Sequence, residues 1–306
     1  MPRQSSSQSI VALTLCLLAT GCSLSTLAKH PAAFSTETGK LVDNTSNAYR
    51  AAIDLHDQEQ VEVGAIAMQS NLPWDFRQMK PLISPEGLKA RLVVLDALKT
   101  YAQSLADVSA GVDSPALTAA ATSTGTNLKA LGENLKTDLG GSSTGFAVTA
   151  PKANLVSSAT LALGEFLVAR KIKANLPAII QQMDPQIDTL SKLLADDIET
   201  IRAQSKKDDE DLIRQQWVFI HFNKDKLSPT ELRAEIEKLP AIEKSEQSND
   251  AALADLHAAI EHLATTHHAL ALAVQGKDKV AVRERIGEFG AAGANLDHYY
   301  LGLSAK

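Results

Sequence analysis

The chain has 306 residues and a formal net charge of −6, with 36 acidic and 30 basic side chains. This acidic balance argues against nucleic acid and anionic lipid headgroups as main partners, because both bind to basic patches. Aromatic residues make up only 4% of the chain, and alanine and leucine dominate its apolar residues. Alanine and leucine favour helices, whereas strands favour β-branched and aromatic residues. The composition therefore predicts an all-α fold.

The N-terminal segment has the three parts of a secretory signal. Arg3 and the initiating amine are positive, and the apolar run 10–19 is too short to span about 30 Å of hydrocarbon as a helix. The small residues Thr20 and Gly21 then lead directly to Cys22. This arrangement resembles the signal of bacterial lipoproteins, in which the cysteine sulfur carries a diacylglyceryl group, cleavage occurs just before it and the new amine is acylated. The resemblance implies that Cys22 is the site of lipid attachment.

Cysteine usage agrees with this interpretation. The only other cysteine, Cys16, lies in the predicted signal peptide, residues 1–21, so the mature chain would hold no free thiol. Two or more acyl chains, such as palmitate, hold a protein stably at a bilayer, so the lipid is expected to tether the chain to the membrane. Ser23 stands where enterobacterial lipoproteins of the inner membrane usually carry Asp. The resemblance therefore implies attachment to the outer membrane, facing the periplasm.

A helical domain is expected behind the anchor. The polar stretch 22–40 predicts a flexible tether, and residues 41–306 predict a helical bundle whose first helix runs from about residue 41 to 70. Trp74 follows that helix and is expected to plug the end of the bundle. Three later helices share one start signal, in which serine caps the helix and proline takes its first position. These starts are Ser84-Pro85, Ser114-Pro115 and Ser228-Pro229.

Apolar residues recur at steps of three and four along these helices, as in helices that bury one face. A long helix is expected from Pro185 to about Phe222. Its charge run 206–211 predicts a solvated face or a helix that projects past the bundle, and the alternative is a protein-binding knob. A short turn joins the last two helices, about 249–275 and 279–303, so they must be antiparallel neighbours. The inward positions of the last helix are Val282, Ile286, Phe289, Gly293, Leu296, Tyr300 and Leu303. The expected fold is an antiparallel multi-helix bundle of long amphipathic helices.

The segment 153–169 is apolar nearly all round and contains one charge, Glu165. A Gly/Ser/Thr-rich loop at 140–150 precedes it and is a possible boundary between two sub-bundles. Seventeen residues with a carboxylate are marginal for a membrane span, whereas an all-round apolar helix suits the centre of a bundle. The preferred interpretation is a buried core helix, and the alternative is a membrane-inserting element.

Histidines are the only candidates for chemistry that the sequence offers. One helical stripe contains Asp250, His257, Glu261 and His268, and the i, i+4 spacing of His257 and Glu261 suits a metal. The stripe lies about 110° from the apolar face, so a solvated flank is preferred to a metal site. His267 points along the apolar face and is expected to be packed and hydrogen-bonded. A haem or di-metal centre needs inward ligands on facing helices, and no such set is evident, so no cofactor is expected.

Sequence motifs of enzymes are missing. No phosphate-binding glycine loop, nucleophile elbow, zinc-protease helix or EF-hand occurs, so no catalytic residue is assigned and the chain is expected not to be an enzyme. The first functional hypothesis is a non-enzymatic envelope lipoprotein, a helical scaffold or interaction module for a periplasmic protein. The alternatives are a membrane-active or toxin-associated protein that uses 153–169, and a metal- or haem-binding bundle that uses the histidine stripe.

Overall fold

The computed structural model describes residues 8–112, 115–137, 150–169, 176–276 and 279–304. Within these ranges all regular structure is helical and no strand occurs, so the predicted all-α fold is confirmed there. The helices are α1 Gln8–Gln69, α2 Pro85–Ala110, α3 Pro115–Thr137, α4 Ala150–Ala169, α5 Leu176–Asn223, α6 Pro229–Ala273 and α7 Lys279–Ser304, with a short 3-10 helix at Phe76–Gln78.

Side-chain contacts between helices define their directions. α1 and α5 run parallel, because His56 contacts Asp208 and, further along both helices, Gln69 contacts Asn223. α5, α6 and α7 are successive antiparallel neighbours, since their contacts join early residues of one helix to late residues of the next. α2 packs antiparallel to α1, and α3 and α4 form a hairpin that packs on α2 and α5. All seven helices contribute to one hydrophobic core.

Two of the predicted helix starts are confirmed. The Ser84 hydroxyl accepts a hydrogen bond from the Gly87 amide at 3.0 Å and caps α2. Ser228 and Glu231 form a reciprocal capping box at the start of α6, where the Ser228 amide donates to Glu231 Oε2 at 2.8 Å. Ser114 lies outside the described residues, as does most of the predicted loop and boundary at 140–150.

The structure differs from the predicted flexible tether. Residues 29–40 belong to α1 and pack on the bundle, and Phe34 and Thr38 are buried. The prediction of a tether is therefore wrong for these residues. Their polar side chains do not require solvent, because the Thr38 hydroxyl donates to the Phe34 carbonyl oxygen at 2.8 Å, within the same helix. Residues 22–28 are also in α1, but the side chain of Cys22 lies outside the described part, and lipid attachment there stays a prediction.

Helix α4 contains the apolar segment 153–169, and its side chains are described from 156 to 168. Val156, Ala159, Leu163 and Leu167 are buried in the core, which confirms the predicted core helix over this stretch. α4 approaches α3 closely, since a Cβ at Gly125 would lie 2.7 Å from the carbonyl oxygen of Gly164. None of the helices in the described ranges is long and apolar enough to cross a membrane.

Helix α7 buries the face that its sequence predicts. Val282, Phe289 and Leu296 are buried, and Ile286 is half-buried against the core. The Phe289 ring lies 6.3 Å from the ring of Phe34 on α1, between ring centroids. The Tyr300 and Leu303 side chains lie outside the described residues.

The C-terminal part of α1, the connection after it, the end of α5 and the start of α6 form a region that we call the arm, residues 60–80 and 211–248. No side chain from 221 to 251 is buried, so the end of α5 and the start of α6 extend past the core. At the outer end, Gln69 Nε2 donates to Asn223 Oδ1 at 2.9 Å. Trp74 packs on α1 within the arm, because a Cβ at Gly64 would lie 2.3 Å from its ring, so it does not plug the end of the bundle body. The arm therefore consists of three helical segments and a packed connection.

Candidate functional site

Polar side chains form three clusters along α5, centred on the half-buried Asp184 and on the buried Asp197 and Asp208. A buried carboxylate costs free energy unless hydrogen bonds or opposite charges compensate it. The hydrogen-bond and charge partners of each aspartate therefore show whether its carboxylate is fully compensated.

The first cluster joins Asp184 to two histidines of α6. Asp184 Oδ1 lies 3.0 Å from His267 Nδ1, and Oδ2 lies 2.7 Å from His268 Nδ1. The Tyr101 hydroxyl lies 2.7 Å from His267 Nε2. Because a carboxylate only accepts, His267 donates from Nδ1 and accepts the Tyr101 hydrogen at Nε2, which is the neutral form. The prediction that His267 is packed and hydrogen-bonded is confirmed, since its side chain is fully buried.

Burial sets the proton affinities in this first cluster. It lowers the pKa of His267 and raises the pKa of Tyr101 well above its usual value. Burial would also raise the pKa of Asp184, but hydrogen bonds from His267 and His268 outweigh it and lower that pKa. A surface cavity of about 530 Å³ reaches Asp184 and His268 but is not lined by Tyr101 or His267. The Tyr-His-Asp chain thus connects α2, α6 and α5 inside the core.

The side chains of the predicted histidine stripe do not come together to form a site. Glu261 is exposed, His257 is half-buried, and His268 is engaged by Asp184. Asp250, which shares the stripe, instead accepts two hydrogen bonds from Arg202 at 2.6 and 2.9 Å. Among the described residues, the one group whose ligand atoms come close enough for a metal contains no member of this stripe.

The second cluster is a buried ion pair. Arg91 donates to both oxygens of Asp197, at 2.7 and 2.6 Å, and the Tyr49 hydroxyl donates to Asp197 Oδ2 at 2.9 Å. Arg91 also donates to the Gly87 carbonyl oxygen and lies over the Tyr49 ring. All polar atoms of Asp197 are therefore compensated. This cluster ties α1, α2 and α5 together, and removal of one partner would cost about 3–5 kcal/mol.

The third cluster lies where the arm leaves the bundle and contains His56, Glu59 and Asp208. One ligand atom from each residue lies within 4.8 Å of the others. His56 Nδ1 is 2.9 Å from Asp208 Oδ2, and His56 Nε2 is 3.0 Å from the Lys80 carbonyl oxygen. Gln215 Nε2 donates to Glu59 Oε1 at 2.8 Å. Glu59 and Asp208 are both buried.

Negative charge accumulates beside this third cluster. Asp209 is buried, and its pKa is raised to about 7 by burial and by the charges of Glu246 and Asp208. Hydrogen bonding with Asn249 offsets part of this rise. The prediction of a solvated face for the charge run 206–211 is therefore wrong for Asp208 and Asp209. In the helix these two face α1 and α6, while Lys206, Lys207 and Glu210 remain exposed.

The third cluster was not evident in the sequence. His56 and Glu59 are three residues apart, a spacing that places both on one face of a helix. Their partner Asp208 stands 149 positions further on, inside a run of mixed charges that is typical of exposed helices. The local spacing was the only available signal, and it does not reveal which helix α1 will meet.

The protein thus belongs to the class of all-α proteins with a helical body, a projecting arm and polar clusters inside. No protein-family model, curated protein or solved structure matches this chain. We therefore argue its function from its own residues and their contacts.

Proposed function

We propose that this protein is a lipid-anchored, non-enzymatic component of the bacterial envelope whose arm binds a periplasmic protein. The anchor in this proposal is Cys22 on the outer membrane, and residues 1–21 are the cleaved signal peptide. The resemblance of Thr20-Gly21-Cys22 and the apolar run before it to lipoprotein signals supports this part.

One structural observation carries the interaction part: exposed apolar side chains are concentrated on the arm. Eleven large apolar side chains are exposed among the described residues, and eight of them lie on the arm. The eight are Val61, Val63, Met68, Leu72, Phe76, Trp217, Phe222 and Ile236. Exposed apolar groups on one region of a soluble surface are typical of interaction sites, and Trp and Phe are common anchors in such sites.

The position of the arm supports a protein partner rather than the anchoring membrane. α1 continues through Cys22 to Gln69, and these 48 residues of helix correspond to about 70 Å. Lipid at Cys22 and the tip of the arm are therefore at opposite ends of the same helix. An anchored molecule would present the arm to the periplasm, far from the bilayer that holds it.

Site-specific crosslinking in the envelope of the producing bacterium tests the interaction. A photoreactive residue at Trp217, which is 56% exposed, is expected to capture a discrete protein. The same residue at Val280, which is 77% exposed but lies on α7, is the matched control and should capture none. Equal capture at both positions, or capture of phospholipid alone at Trp217, would contradict a protein-binding arm.

The anchor is tested separately by Cys22→Ser. Wild-type protein is expected in the membrane pellet with an acyl adduct on its N-terminal residue, and Cys22→Ser is expected to remain unprocessed and without that adduct. Mass spectrometry of the N-terminal peptide measures the adduct directly. An identical N-terminal peptide mass, apart from the substitution itself, would show that Cys22 carries no lipid.

A further inference from the structure

We propose that His56, Glu59 and Asp208 bind a divalent transition-metal ion that joins α1 to α5 at the base of the arm. One ligand atom from each residue lies within 4.8 Å of the other two. At metal–ligand distances of about 2.1 Å, adjacent ligands of an octahedral ion are about 3.0 Å apart and opposite ligands about 4.2 Å apart. The side chains need only a small closing movement to reach such distances.

The orientation of His56 is that of a metal ligand with an outer hydrogen bond. Its Nε2 lies 3.0 Å from the Lys80 carbonyl oxygen, which only accepts, so Nε2 carries the hydrogen. Metal-binding histidines commonly donate from their second nitrogen to a carbonyl or carboxylate in this way. In the neutral imidazole, Nδ1 then directs its lone pair at Asp208 Oδ2, 2.9 Å away. Two acceptors at this distance require a cation between them, either a metal ion or a proton.

Charge favours the metal ion over the proton. Both oxygens of Glu59 accept only from neutral amides, Gln60 at 2.7 Å and Gln215 at 2.8 Å. No Lys or Arg in the described part of the chain contacts Glu59 or Asp208. A protonated His56 would neutralise only one of these two buried carboxylates. A divalent ion neutralises both, and buried charges otherwise cost several kcal/mol each.

The side-chain oxygen of Gln215 is an independent observation that points to a bound ion. Its side chain is only 8% exposed, and its Nε2 is engaged by Glu59. Its Oε1 is buried without any hydrogen-bond partner. Buried acceptors in proteins are almost always satisfied, and this one belongs to the amide that is already held against Glu59. The Gln215 oxygen is therefore a candidate fourth ligand.

The ligand set points to the class of metal. One imidazole nitrogen and two or three oxygens, with no thiolate, suit Zn²⁺, Mn²⁺ or Fe²⁺ better than Cu⁺ or Ca²⁺. The ion would connect His56 and Glu59 of α1 with Asp208 of α5. Through Lys80 it would also hold the connection that follows α1. Such a site would fix the arm relative to the bundle body.

Calorimetric titration with Zn²⁺ tests the site on the full chain, purified in mild detergent and stripped with EDTA. Wild type is expected to bind one Zn²⁺ per chain. Asp208→Asn and His56→Gln are expected to weaken binding at least about 100-fold, since even changes to outer hydrogen bonds cost 10- to 100-fold. His268→Gln is the matched control, because it removes another histidine–carboxylate contact, with Asp184, and should bind Zn²⁺ as wild type does.

Glu59→Gln separates a metal site from a simple ion pair. It leaves the contact between His56 and Asp208 intact, so a structural ion pair would survive, whereas Zn²⁺ affinity should still fall. Circular dichroism establishes that each variant compared is folded. Absence of Zn²⁺ binding to wild type, or equal affinity in wild type and Glu59→Gln, would overturn the proposal. Because purified protein is used, the result does not depend on lipid attachment or on a protein partner.

Discussion

The bundle body and the arm differ in where their aromatic rings lie and in how their buried polar side chains are compensated. In the body, Phe34, Tyr101 and Phe289 are fully buried, and the buried His267 has a partner for each ring nitrogen. At the arm and its base, carboxylates are buried while the aromatic rings of Trp217 and Phe222 face solvent. Proteins violate the ordinary rules of packing mainly at functional sites. This difference is consistent with our proposal that the arm, rather than the body, binds a partner.

The largest expected effect belongs to the body. Phe289→Ala should lower the free energy of unfolding by about 3–5 kcal/mol, because a buried phenylalanine leaves a cavity when truncated. Urea denaturation followed by circular dichroism measures this change. Glu288→Ala is the control one position away and should have little effect. Glu288 is half-buried, and within the described part of the chain its side chain bonds only to Arg285 of the same helix. Equal effects would mean that α7 does not bury the Phe289 face.

A smaller change in the free energy of unfolding, of opposite sign, is expected on substitution of Asp209 at the base of the arm. The pKa of Asp209 is about 7 in the folded protein and 3.8 ordinarily, so only the folded state keeps this proton between about pH 4 and 7. The free energy of unfolding therefore falls as the pH rises through that window, and ionised Asp209 destabilises the fold above it. Glu246 and Asp208 are the charged groups that act on Asp209, and the charge of Asp209 in turn raises the pKa of Tyr299, after the larger effect of burial.

Asp209→Asn should accordingly stabilise the protein at pH 8 by about 2 kcal/mol and give no gain at pH 4. Urea denaturation of wild type and variant at both pH values, with EDTA present, measures the difference. A gain that is the same at both pH values would show that the carboxylate charge is not its cause.

The smallest effect on stability is expected on the arm itself. Trp217→Ala should change the free energy of unfolding by no more than about 0.5 kcal/mol, because the side chain is 56% exposed. The same variant should lose the complex with the crosslinked partner, as measured by co-purification from the envelope. A stability loss as large as that of Phe289→Ala would place Trp217 in the packing of the arm instead of on a binding surface.

Local signals in the sequence were sufficient for two capped helix starts and for one buried helix face. The caps at Ser84 and Ser228 and the stripe of α7 depend on residues within a few positions of one another, and these predictions are confirmed. The tether prediction failed for residues 29–40 because composition alone describes how polar a segment is. It does not reveal that Thr38 bonds to its own helix while Phe34 enters the core.

Composition and short-range patterns thus predict the helical class, the capped starts at Ser84 and Ser228, the buried face of α7 and the buried environment of His267. The contact of Asp208 with His56 and Glu59 follows instead from helix packing, since the parallel alignment of α1 and α5 brings residues 149 to 152 positions apart into contact. Such alignment is a property of the packed core as a whole. Asp208 and Asp209, which would be solvated on an isolated helix, are buried because α1 and α6 pack against this part of α5.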